Sequence, residues 1–250
     1  MRSRRNSLTA LLAFLLLAPS LRAAPAAGAF SDAAKRYDAG DYRGAAALYE
    51  ELISAQPRDA GLRYNLGNAL FKEGKVGRAI AQYQRAFDIK PRDADIRYNF
   101  EFALKKAGEE LVPPGVPPAL FAVFYLFSER ELAGIHWLAC WAALLLAGVY
   151  LLKEPLRPAL SSWCLAALAS WGLAGGWWLA RRGLDPVEGG VIVSSTAEIR
   201  SGPGEKFNVS FTAPEGRRVQ ILSENGDWLE IGVLKEGAKG WLAAQSVEKL

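Results

Sequence analysis

The sequence has one histidine, His136, two cysteines, Cys140 and Cys164, and one methionine, Met1. The histidine and both cysteines fall in two uncharged stretches near the middle of the chain, Leu132–Leu152 and Leu160–Ala180. The rest of the chain therefore offers no imidazole base, no thiol nucleophile and no Cys/His metal cluster. It also has no phosphate-binding glycine loop and no G-x-S-x-G elbow. No catalytic residue, no metal and no cofactor is expected. The adjacent acid pairs Glu50–Glu51 and Glu109–Glu110 read as solvated helix positions. In an antiparallel helix pair Cys140 and Cys164 would lie about 12 Å apart in depth, too far for a disulfide.

Excess charge is also missing from most of the chain. There are 30 basic and 26 acidic side chains, but Arg2, Arg4, Arg5 and Arg22 lie in the first 29 residues, which hold no acid. Beyond them 30 − 4 = 26 bases face 26 acids. A neutral chain exerts no broad pull on a polyanion, so nucleic acid is not an expected partner.

The two uncharged stretches are each 21 residues long. Such a helix is roughly 31 Å long, about one hydrocarbon core. They are expected to form a transmembrane hairpin, spans 132–152 and 160–180, closed by residues 153–159 with Pro155 and Pro158. Trp137, Trp163, Trp177 and Trp178 lie near the span ends, where indoles form an interfacial belt. Residues 1–29 have the form of a secretory leader, with a basic start, an apolar run Leu8–Ala18 and small residues around Ala27–Ala29. Leader and hairpin together place both soluble parts on the periplasmic side of a bacterial inner membrane. Loop charges lean weakly the other way, with Lys153 and Arg157 at the closed end against Arg130, Arg181 and Arg182 at the open end.

Between leader and hairpin lies an internal repeat. Pro57-Arg58-Asp59-Ala60 recurs as Pro91-Arg92-Asp93-Ala94, and Arg63-Tyr64-Asn65 as Arg97-Tyr98-Asn99. Gly40, Ala45 and Tyr49 recur as Gly74, Ala79 and Tyr83, always 34 residues on. Apolar residues at helical spacing predict two helices per period, with turns at the glycines and stops at the prolines. Leu66-Gly67, Leu70, Ala79, Tyr83, Ala86 and Pro91 fall at the steps of the tetratricopeptide repeat, which the region 30–111 resembles. It divides into copies at 30–57 and 58–91 and a closing helix at 94–108.

In that family the first helix of each repeat lines a concave protein-binding groove. Here the resemblance implies a groove of Tyr64, Asn68, Phe71, Lys72, Tyr98, Asn99, Phe102 and Lys105. Asn68 and Asn99 match two positions of the family's carboxylate clamp, but Tyr64 stands where the clamp has a lysine. Any of these aromatics also fits ordinary packing.

Residues 112–131 begin as a proline-rich linker, Pro113, Pro114, Pro117 and Pro118, expected to be extended. The following stretch 119–127 carries Phe121, Phe124, Tyr125 and Phe127. Too short to span, it is expected to lie in the bilayer interface.

After Arg182 the period changes to two, as in Leu229, Ile231 and Val233, with glycine turns about every ten residues. Short strands in this pattern predict a small all-β barrel over 187–250. Ile199-Arg200-Ser201-Gly202-Pro203, Trp228 and Gly240-Trp241 resemble the bacterial SH3 domain. Its ligand surface would be Phe207, Trp228 and Trp241, although Trp241 reads first as a core residue.

The expected architecture is thus a multidomain membrane protein: an all-α repeat array, a two-helix hairpin and an all-β SH3-like barrel. That order resembles the BatE-type envelope proteins of bacterial aerotolerance operons. The resemblance implies protein partners with von Willebrand A domains and a MoxR-type ATPase. Two functions follow as expectations. One is an envelope adaptor that holds other proteins at the membrane. The other is an anchor or sensor that grips peptidoglycan through the SH3-like domain.

Overall fold

The computed structural model describes residues 24–183, 189–233 and 237–250. Most of the leader expected over 1–29 lies outside the described residues.

Among the described residues five helices come first: α1 Ala24–Asp38, α2 Tyr42–Ala55, α3 Ala60–Lys72, α4 Val76–Ile89 and α5 Ala94–Lys106. Their ends follow from local chemistry. Asp41, Asp59 and Asp93 cap α2, α3 and α5, accepting from the amides of Gly44, Leu62 and Ile96 at 2.9, 3.0 and 3.2 Å. Gly40 and Gly74 turn each pair with φ of +81° and +89°, a conformation open to glycine at little cost. Small residues let the pairs close up: Ala45, Ala69, Ala79 and Ala86 are fully buried. A Cβ on Gly67 would lie 2.7 Å from the Tyr83 ring.

The next helix, α6, spans Pro118–Phe124 and is shorter than the segment expected to lie on a bilayer. One side of it closes the array. Phe121 is 6% exposed, stacked on Phe87 at 6.4 Å and beside Tyr125 at 4.5 Å.

Two long helices follow, α7 Glu129–Leu152 and α8 Arg157–Gly183, packed along one another. Ser128 and Glu131 form a capping box that starts α7. The connection is tighter than the loop expected over 153–159. Glu154–Leu156 form a single 3-10 turn, and Pro158 sits in the first turn of α8, where its missing N–H is not needed. Arg157 Nε donates to the Tyr150 carbonyl at 3.1 Å, satisfying an end of α7.

Little of this hairpin is covered. Leu132, Ala143 and Ala174 are buried, whereas Leu138, Leu145, Leu152, Leu165 and Leu173 are more than two-thirds exposed. By length and composition α7 is able to cross a membrane. The second expected span is a helix too, but its serines, glycines and tryptophans dilute its hydropathy, and among the described residues α7 alone meets that criterion.

The C-terminal part is one antiparallel sheet of seven strands in the order β3-β2-β6-β5-β4-β1-β7. The strands are β1 Gly189–Ile192, β2 Thr196–Arg200, β3 Val209–Pro214, β4 Arg218–Asn225, β5 Trp228–Val233, β6 Ala238–Ala243 and β7 Val247–Lys249. Alternation decides what is inside: Leu229, Ile231, Val233 and Leu242 pack with Ile192 and Ile199. Gly240 allows β6 to approach β2, since a Cβ there would strike the Ile199 side chain and the Arg200 carbonyl. Val191 of β1 does not join this core. Fully buried, it packs into the core of the helical array.

Candidate functional site

On α3, Tyr64, Asn68 and Phe71 follow at helical spacing, as do Tyr98, Phe102 and Lys105 on α5. Contacts of Asn99 with Tyr64 and Asn68, and of Phe102 with Phe71, bring these faces of the two helices side by side. Their roles differ. The Tyr83 hydroxyl donates to Asn68 Oδ1 at 2.6 Å, and Asn99 Nδ2 donates to Asn68 Oδ1 at 3.0 Å and to the Tyr64 hydroxyl at 2.8 Å. The two asparagines of the clamp positions therefore bond one another and two tyrosines between α3 and α5. Burial drives the Tyr83 phenol well above its ordinary pKa, so it stays a neutral donor.

Beside this network α5 exposes two large aromatics. Tyr98 is 70% and Phe102 54% exposed. Phe71 is half-buried with its ring 5.6 Å from Phe102, and Lys106 Nζ sits 4.9 Å above Phe71. Lys72 and Lys105 are exposed at the same helix ends. Apolar anchors next to positive charge suit a segment with hydrophobic side chains and an acidic residue. Phe30 was not singled out from the sequence, yet it occupies the position one repeat before Tyr64 and is 43% exposed. The 34-residue offset alone would have found it.

A second surface lies on the sheet. Trp241 pairs with Arg200 of β2 and Glu230 of β5, and Trp228 pairs with Ala243 of β6. This register puts Trp228, Glu230 and Trp241 on one face, opposite to Leu229, Ile231 and Leu242. Trp241 is therefore half-buried on the outer face and not the core residue that its sequence context suggests. Phe207 packs on Gly202, where a Cβ would lie 2.6 Å from its ring, and its carbonyl accepts from Arg200 Nη1 at 2.9 Å. Arg200 thus ties the Phe207 loop to the strand beside Trp241. Ser223 Oγ donates to Glu230 at 2.9 Å.

The two parts are joined by a polar seam. The Gly77 amide donates to Glu215 Oε1 at 2.8 Å, and Gln82 Nε2 donates to Glu248 Oε1 at 2.8 Å. Arg85 donates to Glu248 and to the Lys249 carbonyl. Glu109, expected to be solvated, is only 9% exposed and receives Arg217 Nη1 at 2.7 Å. Burial lowers the pKa of neighbouring Arg218, and the Glu109 charge opposes that shift. By helical periodicity Gly77, Arg78, Gln82 and Arg85 face away from Tyr83, so the sheet docks on the side of α4 opposite the groove. Among the described residues no three His, Cys, Asp or Glu side chains converge to hold a metal.

Residues 33–94 match the tetratricopeptide repeat family, and residues 195–248 match the bacterial SH3 domain family. The chain carries a tetratricopeptide array and a bacterial SH3 domain. A 59-residue stretch is 37% identical to part of the putative N-acetylmuramoyl-L-alanine amidase YrvJ of Bacillus subtilis (strain 168). That match covers 24% of this chain and 11% of the amidase, so the chain spans only a small part of that protein.

Sequence reasoning missed the seam between array and SH3 domain. Gln82, Arg85 and Glu248 have the spacing of any solvated helix or strand face, and nothing local to them signals a partner more than a hundred residues away.

Proposed function

We propose that the protein is a non-enzymatic adaptor of the bacterial envelope, of the BatE type, that holds other envelope proteins through its tetratricopeptide groove. The supporting observation is the placement of the SH3 domain. It occupies the outer side of α4, so the concave face with Tyr98 and Phe102 stays open. Aromatic anchors of this kind contribute most of the energy at protein interfaces, while lysines such as Lys72 and Lys105 set rate and register.

The hairpin of α7 and α8 is proposed to cross the inner membrane twice. Among the described residues nothing covers its exposed leucines and tryptophans, and lipid is the solvent that suits them. Together with the leader expected over residues 1–29, two crossings leave both domains on the periplasmic side in this reading. Partners with von Willebrand A domains and a MoxR-type ATPase fit the BatE resemblance.

A second reading has one observation in its favour. The amidase to which part of this chain is similar is by its name a cell-wall enzyme, which makes peptidoglycan a ligand to consider for the face of Phe207, Trp228 and Trp241. Purification from detergent-solubilised membranes separates the two. An adaptor retains discrete membrane proteins and does not sediment with purified sacculi. An anchor sediments with sacculi and retains no protein.

A further inference from the structure

Between Glu110 and Glu129 the chain has no charged residue. Phe121 is accounted for by the array core, but Leu120, Val123 and Leu126 are 59%, 56% and 44% exposed. A helix that only capped a soluble array would turn polar side chains outward there. The neighbours of α6 fix its level. Trp177 Nε1 donates to the Phe124 carbonyl at 3.4 Å, and its ring meets Phe127 at 5.6 Å. Arg181 Nη1 donates to the carbonyls of Phe124 and Phe127, both at 3.1 Å, and its guanidinium lies 4.3 Å from the Tyr125 ring centre. Trp177 and Arg181 close α8, so the end of α6 is level with the indole belt. Arg181 also supplies donors to carbonyls freed where α6 ends, groups that cannot be left unpaired beside lipid.

We propose that α6 is a foot seated in the bilayer interface, with Leu120 and Val123 among the upper acyl chains and Arg181 as the staple that holds it to the hairpin. The proposal rests on α7 and α8 spanning the membrane. Lipid is the occupant because Leu120, Val123 and Leu126 stay exposed on a segment fastened to the hairpin by Trp177 and Arg181, and the hairpin itself exposes apolar side chains such as Trp137 and Leu138. Arg130 and Arg182 beside it are exposed at headgroup height. Phe121 couples the foot to the array. The foot therefore sets the height of the groove above the membrane, where segments of other membrane proteins emerge.

The test uses the full chain with Cys140→Ala and Cys164→Ala, carrying Val123→Cys, Leu144→Cys or Ser223→Cys, each labelled with a small polarity-sensitive fluorophore. The protein is reconstituted in phosphatidylcholine–phosphatidylglycerol vesicles whose acyl chains carry a nitroxide near the headgroup or near the chain end. The Val123 probe should be quenched more by the shallow nitroxide, the Leu144 probe more by the deep one, and the Ser223 probe by neither. Adding Arg181→Gln should reduce shallow quenching at Val123 and leave Leu144 unchanged; an unaltered Val123 probe would remove the staple. If the Val123 probe is quenched no more than the Ser223 probe while Leu144 is quenched, the foot is wrong and the spanning hairpin stands. If Leu144 is unquenched as well, the hairpin reading fails and the foot falls with it.

Discussion

Glu109 and Arg217 meet at 2.7 Å across the seam between the tetratricopeptide array and the SH3 domain, with only 10% and 11% of their side chains exposed. A pair this buried is costly to break, because the surviving charge loses its 2.7 Å contact in a site largely closed to water. Glu109→Gln should therefore destabilise the full chain by about 3 kcal/mol in urea unfolding. Arg217→Gln should cost a similar amount, and the double variant should cost less than the sum of the two. Hydrogen exchange in β1 and β7 should speed up in the single variants. Additive costs with unchanged exchange would mean that Glu109 and Arg217 are not coupled across the seam.

The array should loosen at high pH. Burial raises the Tyr83 phenol above its ordinary value, and raises Tyr37 and Tyr49 as well. The folded state then holds these protons more tightly than the unfolded state. Stability is fully present below the unfolded tyrosine pKa of about 10 and falls as pH rises beyond it. Tyr83→Phe removes one such proton but also the donor to Asn68, so the variant should be less stable at neutral pH by about 1 kcal/mol. Its further loss above pH 10 should be shallower than the wild type's. Parallel curves of stability against pH would contradict this.

Topology is tested by single cysteines at Ser54, Glu154 and Ser223 in the cysteine-free background, exposed to an impermeant thiol reagent in intact spheroplasts. Labelling is expected at 54 and 223 and not at 154. Labelling at 154 alone would invert the chain in the membrane.

Much of the array was legible in the sequence because its features are local and periodic. Gly40 and Gly74 adopt positive φ one repeat apart, Asp59 and Asp93 cap helices one repeat apart, and Pro57 and Pro91 stand just beyond helix ends. Spacing made it legible that Tyr64, Asn68 and Phe71 share a face of α3, and Tyr98, Phe102 and Lys105 a face of α5. It was not legible that Asn68 and Asn99 would bond each other, because that depends on the approach of α5 to α3. Trp241 was misplaced for a related reason: its side of the sheet depends on register with Arg200 and Glu230, and one residue of slip would exchange it with Leu242. Glu109 and Glu248 were invisible as seam residues, since long-range charge pairs leave no periodic signal.

The groove is tested most directly by a photo-crosslinking amino acid placed in the native host at Phe102, and separately at Trp241. These sites are exposed or half-exposed, so the fold should survive the exchange, unlike replacement of Tyr64, which is bonded to Asn99. An adaptor predicts discrete protein adducts at position 102 that disappear with Tyr98→Ala. Adducts confined to position 241 and made with peptidoglycan, with none at 102, would contradict the adaptor and leave the SH3 domain as the working contact.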